Sequence, residues 1–232
     1  MGCLSSTRRD WPERVSRACF ETAQALTWQG RLYEAEELAR SAYMRASGAK
    51  WTAWEYTFRA NSCFAEGRAD EADQHVATAL ALLRAEGFHD FTPQVWCSRA
   101  ACARADGDLD AARQHLAEAE RTPRKGPGSI AAILAEQAEI AHAAGQPANA
   151  TKAWAALSQT ELPLWSGLGH LRLAEQDVER DRNAHTALDK FESVRCQWGT
   201  LRTSALLGLI DDDDLSSRAS GPTSEDHEHI RA

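Results

Sequence analysis

Glu139-Ile140-Ala141-His142 is the pairing in this sequence with the most recognisable chemistry. On a helix, Glu-x-x-His turns both side chains to one face, and two such pairs with two further carboxylates hold a dinuclear metal centre inside a helical bundle. No second pair with companion carboxylates accompanies it, so no metal site is expected here. His75 and His115 follow Gly67 and Gly107 by the same eight residues. Equivalent positions on neighbouring helices lie about 10 Å apart, too far to share one ion, so both read as packing or surface histidines. Asp226-His227-Glu228-His229 could bind metal only weakly from an unfolded tail, which does not hold ligands in place. Ser166-Gly167-Leu168-Gly169-His170 has the letters of a nucleophile turn but opens an apolar helix with no strand before it, and Asp211-Asp212-Asp213-Asp214 has no companion acidic motif. Neither a phosphate-binding Gly-rich loop nor a dinucleotide-binding turn occurs. The expected catalytic set is therefore none, with no cofactor.

What would position any working side chain is a repeat. Gly30, Gly67, Gly107 and Gly145 are separated by 37, 40 and 38 residues, a spacing typical of stacked helical units. Seven residues before each glycine stands Ala23, Ala60, Ala100 or Ala138; five residues after stands Ala35, Ala72, Ala112 or Ala150. Small residues at fixed offsets on both sides of a turn mark places where two helices cross closely, because a larger side chain would push the backbones apart. Larger groups fill the space between crossings: Cys19, Tyr56, Trp96 and Leu134 eleven residues before the glycines, and Ala39, Val76, Leu116 and Trp154 nine after.

Each unit is thus an apolar first helix, a glycine turn that supplies a positive φ, and an amphipathic second helix. The first helices are expected at 12–27, 51–65, 93–106 and 129–144, and their partners at 31–46, 69–86, 109–121 and 147–158. A fifth pair starts near Pro163, with a turn from Glu179 to Asn183 that lacks glycine and carries one extra residue. A helix at 200–210 then covers the last apolar face. The expected architecture is all-α: a right-handed α-solenoid of about five antiparallel helix pairs plus a C-terminal capping helix. Residues 1–10 form a flexible start, 11–210 the repeat domain, and 211–232 a disordered acidic tail with too little apolar content to fold.

Composition agrees with helices and narrows the partners. Hydrophobic residues make up 43% of the 232, and Lys occurs at only four positions against abundant Arg and Ala, a bias that suggests a bacterial source. Of the net charge of −8, −5 belongs to residues 211–232 and −3 to the rest. A nearly balanced body gives no drive toward nucleic acid or an anionic membrane. Six scattered cysteines without a C-x-x-C pair read as reduced, buried thiols of a cytoplasmic protein, and no apolar run approaches a membrane span of about 20 residues. Met1-Gly2-Cys3-Leu4-Ser5-Ser6 fits a lipidation pattern, read here as accidental given the composition.

The alanine and glycine columns resemble the tetratricopeptide repeat across residues 11–210, although these units exceed its usual 34 residues and lack its closing proline. The closing segment, Ala187-Leu188-Asp189-Lys190-Phe191-Glu192 with Trp198-Gly199-Thr200-Leu201-Arg202, is similar to the end of the helical sensor domains of large bacterial signal-transduction ATPases and transcription regulators. The tetratricopeptide resemblance implies a concave groove lined by the first helices and occupied by a partner peptide or helix. Carried over by offset, the groove takes Arg17, Phe20 and Gln24 from the first unit, and Trp54, Thr57, Asn61 and Phe64 from the second. The third gives Gln94 and Arg104, and the fourth Glu139 and His142. The family's carboxylate clamp would need repeated Lys and Asn at these positions; only Asn61 and two arginines are present.

The resulting expectation is a non-catalytic protein- or peptide-binding adaptor or regulatory scaffold, not an enzyme. The alternative is a helical enzyme or enzyme subunit with a ligand or metal site between helices, which Glu139, His142 and the eight tryptophans would serve.

Overall fold

A computed structural model describes Cys19, Ala23 and residues 32–45, 49–123, 125–194 and 196–210. The first expected helix at 12–27, the Gly30 turn, the groove residues Arg17, Phe20 and Gln24, and the tail at 211–232 lie outside the described residues, apart from Cys19 and Ala23. The described chain is all-helical: α1 (Leu32–Arg45), α2 (Ala49–Ala65), α3 (Ala69–Ala85), a 3-10 turn (His89–Phe91), α4 (Thr92–Ala105), α5 (Leu109–Arg121), α6 (Pro127–Ala143), α7 (Pro147–Ser158), α8 (Pro163–Glu175), α9 (Arg180–Ser193) and α10 (Gln197–Leu206). Prolines open α4, α6 and α8 at positions whose N–H has no helical partner to lose. Asp108 starts α5 by accepting the Ala111 N–H at 2.9 Å. None of these helices is long and apolar enough to cross a membrane.

Two compact units divide inside α7, after Ala153. In the first, all eight alanines of the two columns are buried, and those on either side of Gly67 and Gly107 lie on helices that pack closely together, α2 with α3 and α4 with α5. Around Ala60 and Ala72 gather Cys63, Val76, Ala79, Leu83 and Val95, with Tyr56, Phe64 and Phe91 packed at the margin. Ala23, Ala35, Ala39 and Phe58 form a second cluster. Methyl-sized crossings bury little area, so the larger buried side chains, such as Leu83 and Val95, supply about 1.5–3 kcal/mol each.

The helix-ending turns repeat one geometry. Gly107 has φ +83° and donates to the Arg104 carbonyl at 3.0 Å, while Asp108 donates to the Ala103 carbonyl at 2.9 Å. These are the two bonds of a Schellman motif, which needs a left-handed residue at its centre.

In the second unit the fifth turn departs from the expected position. It spans Gln176 to Glu179 rather than Glu179 to Asn183, and Asp177 (φ +59°) takes the left-handed place of glycine, with Val178 N–H bonded to the Leu173 carbonyl at 3.0 Å. The extra residue is real: α9 starts three residues after Asp177, whereas α3 and α5 start two after Gly67 and Gly107, and Glu179 absorbs the difference at φ +43°. Asp can hold the left-handed conformation at small cost, which is why a search keyed on glycine misplaces this turn.

The capping helix is also displaced from 200–210. It starts at Gln197 and ends at Leu206, because Gly208 (φ +69°) closes it with Leu209 N–H on the Ser204 carbonyl. Its contact with α9 demands Gly199, since a Cβ there would run into the Phe191 ring. Phe191, Leu171 and Ala187 form the core of this unit, with Leu164, Cys196 and Leu206 against it.

Candidate functional site: a polar seam on the first helices

In the first unit, α2, α4 and α6 pack side by side, and polar side chains join them within a largely apolar core. Asn61 on α2 accepts hydrogen bonds from the Ser98 hydroxyl at 2.9 Å and the Cys102 thiol at 3.3 Å, both on α4. Ser98 and Cys102 are one helical turn apart, so a single carbonyl oxygen spans both. One turn before Ser98, Gln94 lies against the start of α6, where a Cβ in place of the Gly128 hydrogen would stand 2.8 Å from its side-chain nitrogen.

Further along, Arg104 on α4 binds Glu136 on α6, Nε to Oε1 at 2.8 Å and Nη2 to Oε2 at 3.5 Å. Glu136 is 4% exposed. Burial raises its pKa, and the adjacent Arg104 guanidinium partly offsets this, while Glu139 one turn on adds a further upward push. Burial acts to lower the pKa of Arg104, but the Glu136 carboxylate outweighs it and the net shift is upward.

Two buried atoms of the seam have no hydrogen-bond partner among the described residues: the Asn61 side-chain nitrogen and the Gln94 side-chain oxygen. A buried polar group left unmatched costs about 1–3 kcal/mol. One is a donor and the other an acceptor.

Of the expected groove residues that are described, Asn61, Gln94, Arg104 and Glu139 come together in this seam. Trp54 is buried edge-on against Phe91, with centroids 5.9 Å apart. Thr57 is buried and returns its hydroxyl to the Ala53 carbonyl of its own helix. Phe64 is half-buried beneath the Arg99 guanidinium, 3.7 Å from the ring centroid, and Arg99 pairs with Asp73 at 2.6 Å. His142 is exposed. Glu139 acts electrostatically on the Arg104–Glu136 pair.

Ser98, Cys102 and Glu136 belong to the seam without having been anticipated. Glu136 could have been suspected as the first charge in the apolar run Ile130-Ala131-Ala132-Ile133-Leu134-Ala135. Ser98 and Cys102 carry no such mark.

Other chemically suggestive residues have structural work. His75 packs on Tyr56 with ring centroids 5.6 Å apart, and His115 stacks on Trp96 at 5.8 Å. Burial lowers the pKa of both histidines. Ser166 donates to the Ser158 carbonyl at 2.7 Å, and Gly169 admits the α7 backbone, where a Cβ would stand 2.8 Å from the Trp154 carbonyl. The five described cysteines are free thiols. Burial pushes Cys102 up to about 12 and Cys97 well above its ordinary value, which makes both poor nucleophiles at neutral pH.

Residues 51–125 match the model of a family described as tetratricopeptide repeat. That stretch runs from α2 through α5 and includes Asn61, Gln94, Ser98, Cys102 and Arg104. No curated protein and no solved structure matches the chain.

Proposed function

We propose that the chain, whose residues 51–125 match the tetratricopeptide repeat, is a non-catalytic adaptor or regulatory scaffold that takes a protein segment along the face of α2, α4 and α6. Tetratricopeptide repeats in general mediate protein–protein interaction. The observation that supports this face is the accessible polar group at expected groove offsets on adjacent first helices, with Arg104 on α4 and Glu139 on α6 half-buried and His142 on α6 exposed. An extended peptide carries alternating C=O and N–H groups, which polar side chains at the surface of a groove can bind. Phe64, Arg104, Glu139 and His142 supply the accessible part of the face, with an aromatic surface and charges of both signs. A regulatory role follows the resemblance of the closing segment to bacterial sensor domains.

The test is capture from a host lysate by the unaltered chain, by Asn61→Ala, and by a Glu139→Ala/His142→Ala variant. Each variant is first confirmed as helical by circular dichroism, and each captured protein is then re-bound in purified form. A partner that binds the unaltered chain directly and loses affinity at least about tenfold with either variant supports the reading. Equal affinity for all three would show that binding uses another surface.

A further inference from the structure

Between α2 and α3 the structure brings together a thiol, an imidazole and a carboxylate that the seam does not use: one ligand atom each from Cys63, Glu71 and His75, all within 4.8 Å of one another. We propose that these three side chains bind a Zn²⁺ ion that fastens α2 to α3, with the fourth position open to water.

The placement follows from the repeat. The Gly67 turn reverses the chain so that Cys63, near the end of α2, faces the first turns of α3, and Arg68 N–H on the Cys63 carbonyl at 2.8 Å fixes that reversal. Glu71 and His75 are one turn apart on α3 and share a face. The His75 ring is already oriented by its packing on Tyr56.

Thiolate, imidazole and carboxylate suit zinc, which takes four such ligands at about 2.0–2.3 Å. Those bond lengths put ligand atoms about 3.3–3.8 Å apart in a tetrahedron, so the three must close by about 1 Å. The Glu71 side chain, 54% exposed, can supply its share of that movement by leaving Arg68. On binding, the Cys63 thiol releases its proton to solvent, and thiolate with carboxylate balances the dication. Arg68 competes for Glu71 but is 43% exposed and also pairs with Glu66. A surface pair of this kind contributes at most about 1 kcal/mol, and Arg68 keeps Glu66 when Glu71 turns away.

The next unit contains its own control. The residues equivalent to Cys63, Glu71 and His75 around Gly107 are Ala103, Ala111 and His115. His115 stacks on Trp96 as His75 does on Tyr56, so ring packing accounts for a histidine in both units. Of these two units, the thiol and carboxylate occur only in that of His75.

The test uses the full chain carrying His227→Gln and His229→Gln, which removes the tail histidines as rival ligands, purified free of metal under a non-thiol reductant. Calorimetric titration with ZnCl₂ should give one ion per chain, and CoCl₂ should give a thiolate-to-cobalt charge-transfer band in the near ultraviolet. Glu71→Gln, a surface change that keeps the fold, and Cys63→Ser should each weaken Zn²⁺ binding more than about tenfold, whereas His115→Gln should not alter it. Absence of Zn²⁺ binding, cobalt binding without a thiolate band, or unchanged affinity in Glu71→Gln and Cys63→Ser would each overturn the proposal.

Discussion

His170 Nδ1 lies 2.7 Å from Asn183 Oδ1, at the two positions that alanines hold in the earlier helix pairs. His170 stands seven residues before Asp177, as Ala100 stands seven before Gly107. Asn183 stands six after it, which is the alanine offset lengthened by the extra turn residue. The steric solution to a helix crossing, two methyl groups, is here replaced by a hydrogen bond between larger polar groups. Asn183 is anchored by a second bond, from its amide nitrogen to the Val178 carbonyl at 2.6 Å.

The crossing in the fifth pair should therefore behave as a coupled unit. His170→Ala leaves the Asn183 oxygen without its partner and should cost about 1–3 kcal/mol. The double variant His170→Ala/Asn183→Ala recreates the alanine crossing of the other pairs. Urea denaturation of the four proteins in the cycle should show it less destabilised than the sum of the singles, by about 0.5–3 kcal/mol. Strict additivity would mean that the bond contributes nothing to stability.

Where the crossing is methyl on methyl, enlargement should be penalised instead. Ala100 is fully buried, and Ala100→Leu should lower stability by about 1–3 kcal/mol through overpacking. The denaturation midpoint measures this directly; an unchanged midpoint would mean that α4 and α5 can separate without loss.

The buried Glu136 carboxylate should give stability a distinctive pH dependence. Its pKa in the folded chain is raised above the ordinary 4.5, by burial first, so the folded state holds a proton that the unfolded chain gives up more readily. The stability associated with that proton is fully present below the unfolded pKa and is lost as pH rises through the folded value. Relative to Glu136→Gln, the unaltered chain should therefore lose stability as pH rises from about 4.5, followed as urea midpoints across a pH series. Arg104→Met should be more harmful at neutral pH than at low pH, because it strands the carboxylate. Breaking a buried pair from one side costs about 3–5 kcal/mol, and the partial exposure of Arg104 places this case toward the lower figure.

Much of this architecture is written in periodic small residues. Ala60, Ala72, Ala100 and Ala112 identify the crossings because only a methyl group fits between two close backbones, and Gly67, Gly107 and Gly145 identify the turns because a left-handed residue strongly favours glycine. Those are local steric rules, so they survive in a single chain read without its fold. They fail at Asp177, where a different residue tolerates the same φ, and at His170 and Asn183, where a hydrogen bond replaces a methyl contact.

The sequence by itself determined the helical pairs, most of their limits, and the offsets at which Asn61, Gln94, Arg104 and Glu139 occur. Only the tertiary structure decided what those side chains meet. Ser98 and Cys102 reach Asn61 from a helix 37 and 41 residues away, Glu136 meets Arg104 across 32, and Cys63 joins Glu71 and His75 across a turn. Periodicity states which face of a helix a residue occupies. Which side chain of the facing helix lies opposite depends on how two helices are shifted and rotated against each other, a quantity set by the packing of every residue in the interface and carried by no single position.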